Sequence, residues 1–509
     1  MSSEHTIAIV GGGAVGTALF GLLVDRLASE PWARGKVRIA LFEKSSRIGP
    51  GLAFGKDDGP LLLNTTAQSM SLVPGPRAEF FEWLAESGRA PREEGDHFCA
   101  RQTFGDFVEH AFTRAMDKAR RAGIAVSTFH DEVTTLTARA TSGHRVIPRT
   151  HAPLDADTVV LALGNLPCTR FRALEGPRFF PSPYPSDALR ARIPPTARVA
   201  VLGTGLSAID AAIALFAGGH EAPVTLASRG GMLPSVRGPI HDCPLTFVTH
   251  AAVALATDRG RRPLRWPTIL RWLELELEQH GVSIEWQREF PAWTDPIEHL
   301  GGQIAAAEAT SRVWQSVGEA LNPMIEVLWH HLSDDDRRLF LDRFVSRFMS
   351  HWVPIPLVTA RRLFSLVSSG KVKVARGLKD VTPARDAHVV GLGEHSAPFD
   401  FVVDATGAPR HLREADSPLL ESLLRAGTIA PHPHGGVRVD FESLRIIGAD
   451  GRLAGGLYAI GNLTSGTHFF TSTLHHNVEK ANRIAARIVS DLQRRIEKDP
   501  HVDTAVHSA

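Results

Sequence analysis

The 509-residue sequence predicts an α/β fold built on two parallel sheets, with a helical segment inserted into the second half of the architecture. Three observations carry this. Two short β-branched runs lead directly into glycine turns and then helices, strand-like runs ending in glycine recur downstream, and residues 251–349 abandon that alternation for helical patterning alone. Hydrophobic residues at 43% and charged residues at 22% make an ordinary globular mixture, and the length allows about three domains of ~100–200 residues. Lys+Arg at 56 against Asp+Glu at 55 leaves a formal charge of +1, which provides no global field for nucleic acid or an anionic membrane. Cys99, Cys168 and Cys243 are too scattered for a disulfide framework, a zinc site or a redox pair, so no metal is expected. The N-terminus lacks the basic start of a signal peptide, and no run nears the ~18 apolar residues of a membrane span, so the expectation is a soluble cytoplasmic protein.

The first unit is the run Thr6–Val10, then Gly11-Gly12-Gly13-Ala14-Val15-Gly16, then a helical pattern from Thr17 to Ala28. In a GxGxxG turn the first glycine permits the tight bend, the second lets a pyrophosphate approach the backbone, and the third lets helix and strand pack closely. The helix N-terminus then offers free N–H groups to the phosphates. A second strand, Lys36–Phe42, ends at Glu43, where a carboxylate can accept from both ribose hydroxyls.

The second unit is Arg198–Leu202, then Gly203-Thr204-Gly205-Leu206-Ser207-Ala208, then a helix from Ile209 to Ala217. Alanine stands at the third glycine position. The next strand, Pro223–Ala227, ends in Ser228-Arg229 instead of an acid. A carboxylate there would repel a 2′-phosphate, whereas a hydroxyl and a guanidinium would bind one, which favours NADPH over NADH. Two units with different strand ends imply two different dinucleotides, FAD in the first and NADPH in the second. A hydride would pass between them where the domains meet.

Later runs are expected to close the first domain. Asp157–Leu163 ends at Gly164-Asn165, Phe401–Thr406 ends at Gly407, and Gly456–Ile460 ends at Gly461-Asn462, just before the helical stretch of the C-terminus. The expected division is a discontinuous FAD domain of 1–190 and 375–495, an NADPH domain of 191–250 and 350–374, a helical insert of 251–349, and a flexible tail of 496–509.

This order of motifs resembles the two-dinucleotide-binding-domain flavoproteins. More narrowly, Arg47 to Phe54 (RIGPGLAF), Leu62-Leu63-Asn64, Met70-Ser71, Arg101 with Phe104-Gly105, and Ser228 to Pro234 are similar to an FAD/NAD(P)-binding protein family akin to class B flavin monooxygenases, including amino-acid N-hydroxylases. The resemblance implies that Gly11, Gly13, Ala14, Val15, Gly16, Glu43, Lys44, Arg47, Leu52, Asn64, Met70, Arg101, Val133, Gly164, Asn165, Gly407, Gly461 and Asn462 line FAD. It implies that Gly203, Gly205, Leu206, Ser207, Ser228 and Arg229 line NADPH. One departure stands out: after Gly407 comes Ala408-Pro409, where many N-hydroxylases carry an aromatic residue.

The insert reads as helices over Pro267–Gln279, His299–Gly318, Pro323–His331 and Asp334–Met349. Seven of the nine tryptophans fall between Trp266 and Trp352, either sealing a small helical core or forming a lid that excludes water from the flavin. The segment Thr464–Ser472 follows the last glycine turn and supplies the substrate-side candidates. His468 is the candidate proton shuttle or carboxylate donor, with Thr467 and Asn462 beside it, and Phe469 and Thr471 as lining residues. Arg237 and His241 are further candidates for a substrate carboxylate or a cofactor phosphate.

Three functions fit these residues. The first is an NADPH-dependent FAD monooxygenase transferring oxygen from a C4a-hydroperoxyflavin to a small nucleophilic substrate, with an amine or amino acid the leading class. The second is an NADPH-dependent flavin reductase or dehydrogenase without oxygen insertion. The third is a non-enzymatic redox-sensing flavoprotein. The expected partners are a small-molecule substrate and O2, with no nucleic acid or membrane and with homo-oligomerisation open.

Overall fold

A computed structural model describes residues 4–57, 60–75, 78–89, 98–140, 142–283, 285–286, 291, 293–309 and 312–497. Most of the expected flexible tail, 498–509, lies outside the described residues. The helix Leu474–Glu497 carries regular structure past the point where the tail was expected to begin.

Two parallel sheets dominate. The first contains β1 (His5–Val10), β2 (Val37–Phe42), β3 (Ala125–Phe129), β7 (Thr158–Leu161), β16 (Arg445–Ile447) and β17 (Leu453–Ala459), in the order β16-β17-β7-β1-β2-β3. All neighbours run parallel except β16, which turns back on β17 at the edge. Both faces are covered, as a parallel sheet requires. Helices Ala14–Ala28, Arg101–Ala122 and Leu474–Glu497 pack on one side. Helix Pro418–Arg425 and a small antiparallel sheet, β4 (Val133–Ala138), β5 (His144–Pro148) and β6 (Leu154–Ala156), pack on the other.

The second sheet contains β8 (Phe179–Phe180), β9 (Val199–Leu202), β10 (Val224–Ser228), β11 (Val372–Arg376) and β15 (Phe401–Asp404), in the order β11-β10-β9-β15-β8. Helices Ser186–Arg192, Leu206–Ala217 and Leu357–Ser368 cover one face. The antiparallel trio β12 (Leu378–Pro383), β13 (His388–Leu392) and β14 (His395–Phe399) covers the other.

This arrangement corrects one expectation. β7 and β17 return to the first sheet, but β15 does not: Phe401–Asp404 pairs in parallel register with Val199–Leu202 of the second sheet. Phe179 and Phe180 also join the second sheet, alongside Val402 and Val403. A buried run ending in glycine satisfies either sheet, and only long-range pairing decides which.

The insert is helical, with altered boundaries. Helix Trp266–Gln279 forms as expected. The single helix expected over His299–Gly318 is two, Pro296–Ala309 and Val313–His331. Pro323 lies inside the second instead of starting a new one, held there by the buried neighbours Leu321, Met324 and Ile325. The stretch from Asp334 breaks into Asp334–Leu339, one wide turn at Phe340–Phe344, and Val345–Trp352.

Candidate functional site

The first glycine turn is shaped by close contacts. Gly11 has φ +108, and a Cβ there would sit 2.2 Å from the Ala162 carbonyl oxygen. A Cβ on Gly16 would fall 1.9 Å from the Gly11 carbonyl oxygen, so helix and strand meet with no room for a methyl group. Gly12, to which the sequence assigned no role, is also crowded, with Leu41 at 2.8 Å and Glu43 at 2.9 Å from its Cβ position. Gly13 is different. Its φ is −69, open to any residue, and a Cβ would meet only Gly51 Cα at 3.6 Å. Neither backbone conformation nor packing demands glycine at 13, so the space it leaves is available to a ligand approaching the N-terminus of helix Ala14–Ala28, where Ala14 and Val15 begin the first turn.

Glu43 is buried at the end of β2 and already oriented. Its Oε2 accepts from the Gly12 N–H at 2.8 Å and its Oε1 from the Ser45 N–H at 2.9 Å. Each oxygen keeps a lone pair for a ribose hydroxyl.

The other strand ends of this sheet converge on the same edge. Gly164 and Gly461 have φ +64 and +77, and each has open space at its Cβ position. Asn462 ties the two turns together: its Nδ2 donates to Asn165 Oδ1, and its Oδ1 accepts from Thr471 Oγ1 at 2.9 Å. Thr467 is buried in the same segment, and its hydroxyl has no partner among the described residues.

Several expected FAD contacts are otherwise engaged. Arg47 spends its guanidinium on Glu109 at 2.6 Å and Asp106 at 3.4 Å. Met70 packs in a cluster with Leu63, Phe80 and Phe104, and its Sδ accepts from Thr65 Oγ1. Val133 lies in the core below the sheet, Asn64 is half-buried, and Lys44 and Leu52 are exposed. Gly407, at the end of β15, stands on the edge of the second sheet beside the second glycine turn.

Arg101 is the most fully engaged of these. It is buried and pairs with Asp210 of helix Leu206–Ala217 at 2.7 Å, while its guanidinium also donates to the Tyr184 hydroxyl at 2.8 Å and its Nε to the Leu62 carbonyl at 3.0 Å. Tyr184 in turn donates to Asp210. Burial opposes the Arg101 charge, and Asp210 and Tyr184 more than offset it. Burial likewise pushes the Asp210 carboxyl up against the pull of Arg101. Arg101 thus forms an ion pair bridging the two sheets' helices.

The second turn repeats the first with one relaxation. Gly203 has φ +126 and abuts the Ala405 carbonyl, and Gly205 has φ −85 with nothing within 4 Å of its Cβ position. Gly205 is thus a second open cradle, with Leu206 and Ser207 starting the helix above it. Ala208 is fully buried where the first turn has Gly16. At the end of β10, Ser228 does not offer a free hydroxyl proton. Thr204 Oγ1 donates to the Met232 carbonyl at 2.6 Å, so the 3.0 Å Ser228–Thr204 contact takes the Ser228 proton, and Ser228 Oγ accepts from the Gly231 N–H at 2.9 Å. Arg229 is exposed at the strand end.

His468 is fully buried. Its Nε2 donates to the Phe441 carbonyl at 3.0 Å, its ring stacks on Phe441, and burial pushes its pKa down to about 3. A ring in that state is a neutral packing element, which removes the proton-shuttle role near neutral pH. Phe469 has φ +55 and ψ −72 and closes a tight turn, with the Phe470 N–H donating to the His468 carbonyl at 2.7 Å. The insert holds this strained residue in place. Trp329 stacks on Phe469 with centroids 4.7 Å apart and donates from Nε1 to the Gly466 carbonyl at 2.8 Å. Glu326 of the same helix pairs with buried Lys480 at 2.7 Å. The insert therefore sits on the segment that follows the Gly461 turn.

Arg237 lies elsewhere. It lines a recess of about 290 Å³ with Trp314, Glu319, Asn322 and Trp352, and none of the lining comes from residues 462–471. His241 is exposed, with its N–H on Ser316 Oγ at 3.0 Å. No group of three or more metal-ligating side chains occurs among the described residues, and no helix there is long and apolar enough to cross a membrane.

Residues 8–166 match the FAD-NAD(P)-binding family model. No curated protein matches the chain. Solved structures match it in fold over nearly its whole length. L-lysine 6-monooxygenase from Pseudomonas syringae aligns at 18% identity and TM-score 0.57, covering 97% of this chain and 100% of that one. Ornithine N-hydroxylase from Kutzneria sp. 744 aligns at 18% and 0.56, with the same coverage. Ornithine hydroxylase from Pseudomonas aeruginosa aligns at 17% and 0.59, covering 96% and 100%. The chain shares the two-nucleotide α/β fold of these proteins, and the matched family segment contains the first glycine turn, Glu43 and β7.

Proposed function

We propose that the chain is an NADPH-dependent FAD monooxygenase that N-hydroxylates a small amine or amino acid. The observation that carries this reading is the pair of open cradles at Gly13 and Gly205. Each is a glycine that neither φ nor packing requires, each lies under a helix N-terminus, and one strand end presents an acid and the other an arginine. Gly11, Gly13, Glu43, Gly164, Gly461 and Asn462 would hold FAD, and Gly203, Gly205, Ser207 and Arg229 would hold NADPH. The first sheet with its covering helices is then the FAD domain, and the second, with β8 and β15 included, the NADPH domain.

Bound FAD supplies the two-electron and oxygen chemistry. The protein positions and shields it. Asn462, clamped between Asn165 and Thr471, fixes the turns at the reacting edge. Trp329 and Phe469, stacked at 4.7 Å, would shield bound flavin from water on the insert's side. With His468 neutral and buried, no titrating histidine is assigned to the chemistry. The balance is NADPH, a proton, O2 and an amine giving NADP+, water and a hydroxylamine. The fold shared with lysine and ornithine hydroxylases supports the amine class. The test is to supply the holoprotein with NADPH and O2 and screen amines and amino acids. The reading expects hydroxylamine formed in proportion to NADPH consumed. Hydrogen peroxide as the sole oxygen product with every amine would leave the oxidase-type reductase reading instead.

A further inference from the structure

The second turn lacks a group that its reading as an NADPH site needs, because the Ser228 hydroxyl proton is already given to Thr204. A 2′-phosphate carries nearly two negative charges, and Arg229 alone answers one. The register of the sheet places a second guanidinium alongside. Arg376, the last residue of β11, is the direct partner of Ser228 across the β10–β11 ladder. The two strand ends are fastened beyond that point by the Gly377 N–H, which donates to the Arg229 carbonyl at 3.0 Å.

Arg376 is also held in a defined place. Its guanidinium lies over the indole of Trp293, 4.9 Å from the ring centroid, and Trp293 reaches from the insert to the Gly231 turn, with Nε1 3.3 Å from the Gly231 Cβ position. A guanidinium held against an aromatic ring can still direct N–H groups to a phosphate. Arg229 and Arg376 are both exposed, and among the described residues neither pairs with a carboxylate. Burial lowers the Arg410 pKa, Asp342 opposes that, and the charge of Arg229 also reaches Arg410, so the two guanidinium groups lie close enough to interact.

We propose that Arg376, stacked on Trp293, joins Arg229 to form the site for the 2′-phosphate of NADPH. The insert thereby takes part in choosing the nicotinamide nucleotide. This rests on the reading of the second turn as an NADPH site.

The test is calorimetric titration of the full-length, FAD-loaded protein with 2′,5′-ADP and with 5′-AMP, which needs no turnover. The wild type is expected to bind 2′,5′-ADP at least about tenfold tighter than 5′-AMP, as charge-assisted bonds to phosphate imply. Arg376→Ala should lose about tenfold or more in 2′,5′-ADP affinity and leave 5′-AMP unchanged, with partial recovery in Arg376→Lys. Trp293→Ala should lose a smaller factor, about two- to fivefold, because it only orders the guanidinium. Both side chains lie at the surface, so the variants should melt with the wild type. If Arg229→Ala weakens 2′,5′-ADP while Arg376→Ala does not, the proposal is overturned and the NADPH reading stands. If the wild type fails to prefer 2′,5′-ADP, the NADPH reading falls and takes this proposal with it.

Discussion

The two glycine turns have the same strand–turn–helix backbone, yet their glycines do different jobs. In the first, Gly16 lies so near Gly11 that a Cβ would overlap its carbonyl oxygen at 1.9 Å. In the second, the same position holds Ala208, buried without strain because helix Leu206–Ala217 leaves room for a methyl group. The third glycine is therefore a packing demand of one site only. The middle glycines, Gly13 and Gly205, are open in both, as the proposed nucleotide sites require. The motif is one pattern serving two separable physical purposes, and substitution can separate them.

The largest effect is expected at the packing glycine. Gly16→Val should cost upwards of about 3 kcal/mol through backbone overlap and prevent recovery of folded, flavin-loaded protein. The mirror change Ala208→Gly should cost only about 1 kcal/mol, the usual helix-interior penalty. Expression yield and thermal midpoint measure both, and similar losses at the two positions would erase the distinction.

Acid should next distinguish both turns from the packing around the insert. Burial holds His351 and His476 at about 4 and His468 at about 3, below the ordinary value of 6.5. The unfolded chain binds these protons first, so stability is flat above about pH 7 and falls as pH drops below about 6.5. Neither glycine turn contains such a histidine. A thermal midpoint measured from pH 8 to 4.5 should decline only in the acid half, and the replacement His468→Gln should flatten the slope.

At the ligand glycines, the folded state should be indifferent. Gly13→Ala and Gly205→Ala should each melt within a few degrees of the wild type. The first should lose retained FAD on gel filtration, and the second should keep FAD while its KM for NADPH rises about tenfold. A matched drop in melting temperature would show that these glycines pack after all.

The smallest change tests the strand ends. Arg229→Ala should raise the KM for NADPH about tenfold and leave that for NADH within about twofold. Equal effects on the two nucleotides would mean that Arg229 does not meet the 2′-phosphate.

Much of this was legible in the sequence wherever the signal is local. β1, β2, β9, the glycines and Glu43 are read from adjacent residues, because a short β-branched run, a turn that needs glycine and a helix start are nearest-neighbour properties. What was not legible depends on distant partners. Phe401–Asp404 has the same pattern as Thr158–Leu161, and only its pairing with β9 puts it in the second sheet. The ion pair of Arg101 with Asp210 and Tyr184 has no signal in the sequence, where Arg101 stands only among the residues implied to line FAD. His468 has a useful reference pKa until burial removes it. Ser228 offers a hydroxyl until Thr204 consumes its proton. Apart from that strand, each concerns a polar side chain, whose role is set by what it faces.

The Arg101–Tyr184–Asp210 cluster has a mechanical consequence. It ties the start of helix Arg101–Ala122 to helix Leu206–Ala217 in a dry interior, both charges being about nine-tenths hidden. An exposed pair could stretch through water as the domains sway. Here a swing that parts the two strands a carboxylate without its cation, at a cost of about 3–5 kcal/mol. Separation of the two helices at this point is thereby made costly. The contact thus sets the spacing of the two sheets' helices before any ligand arrives.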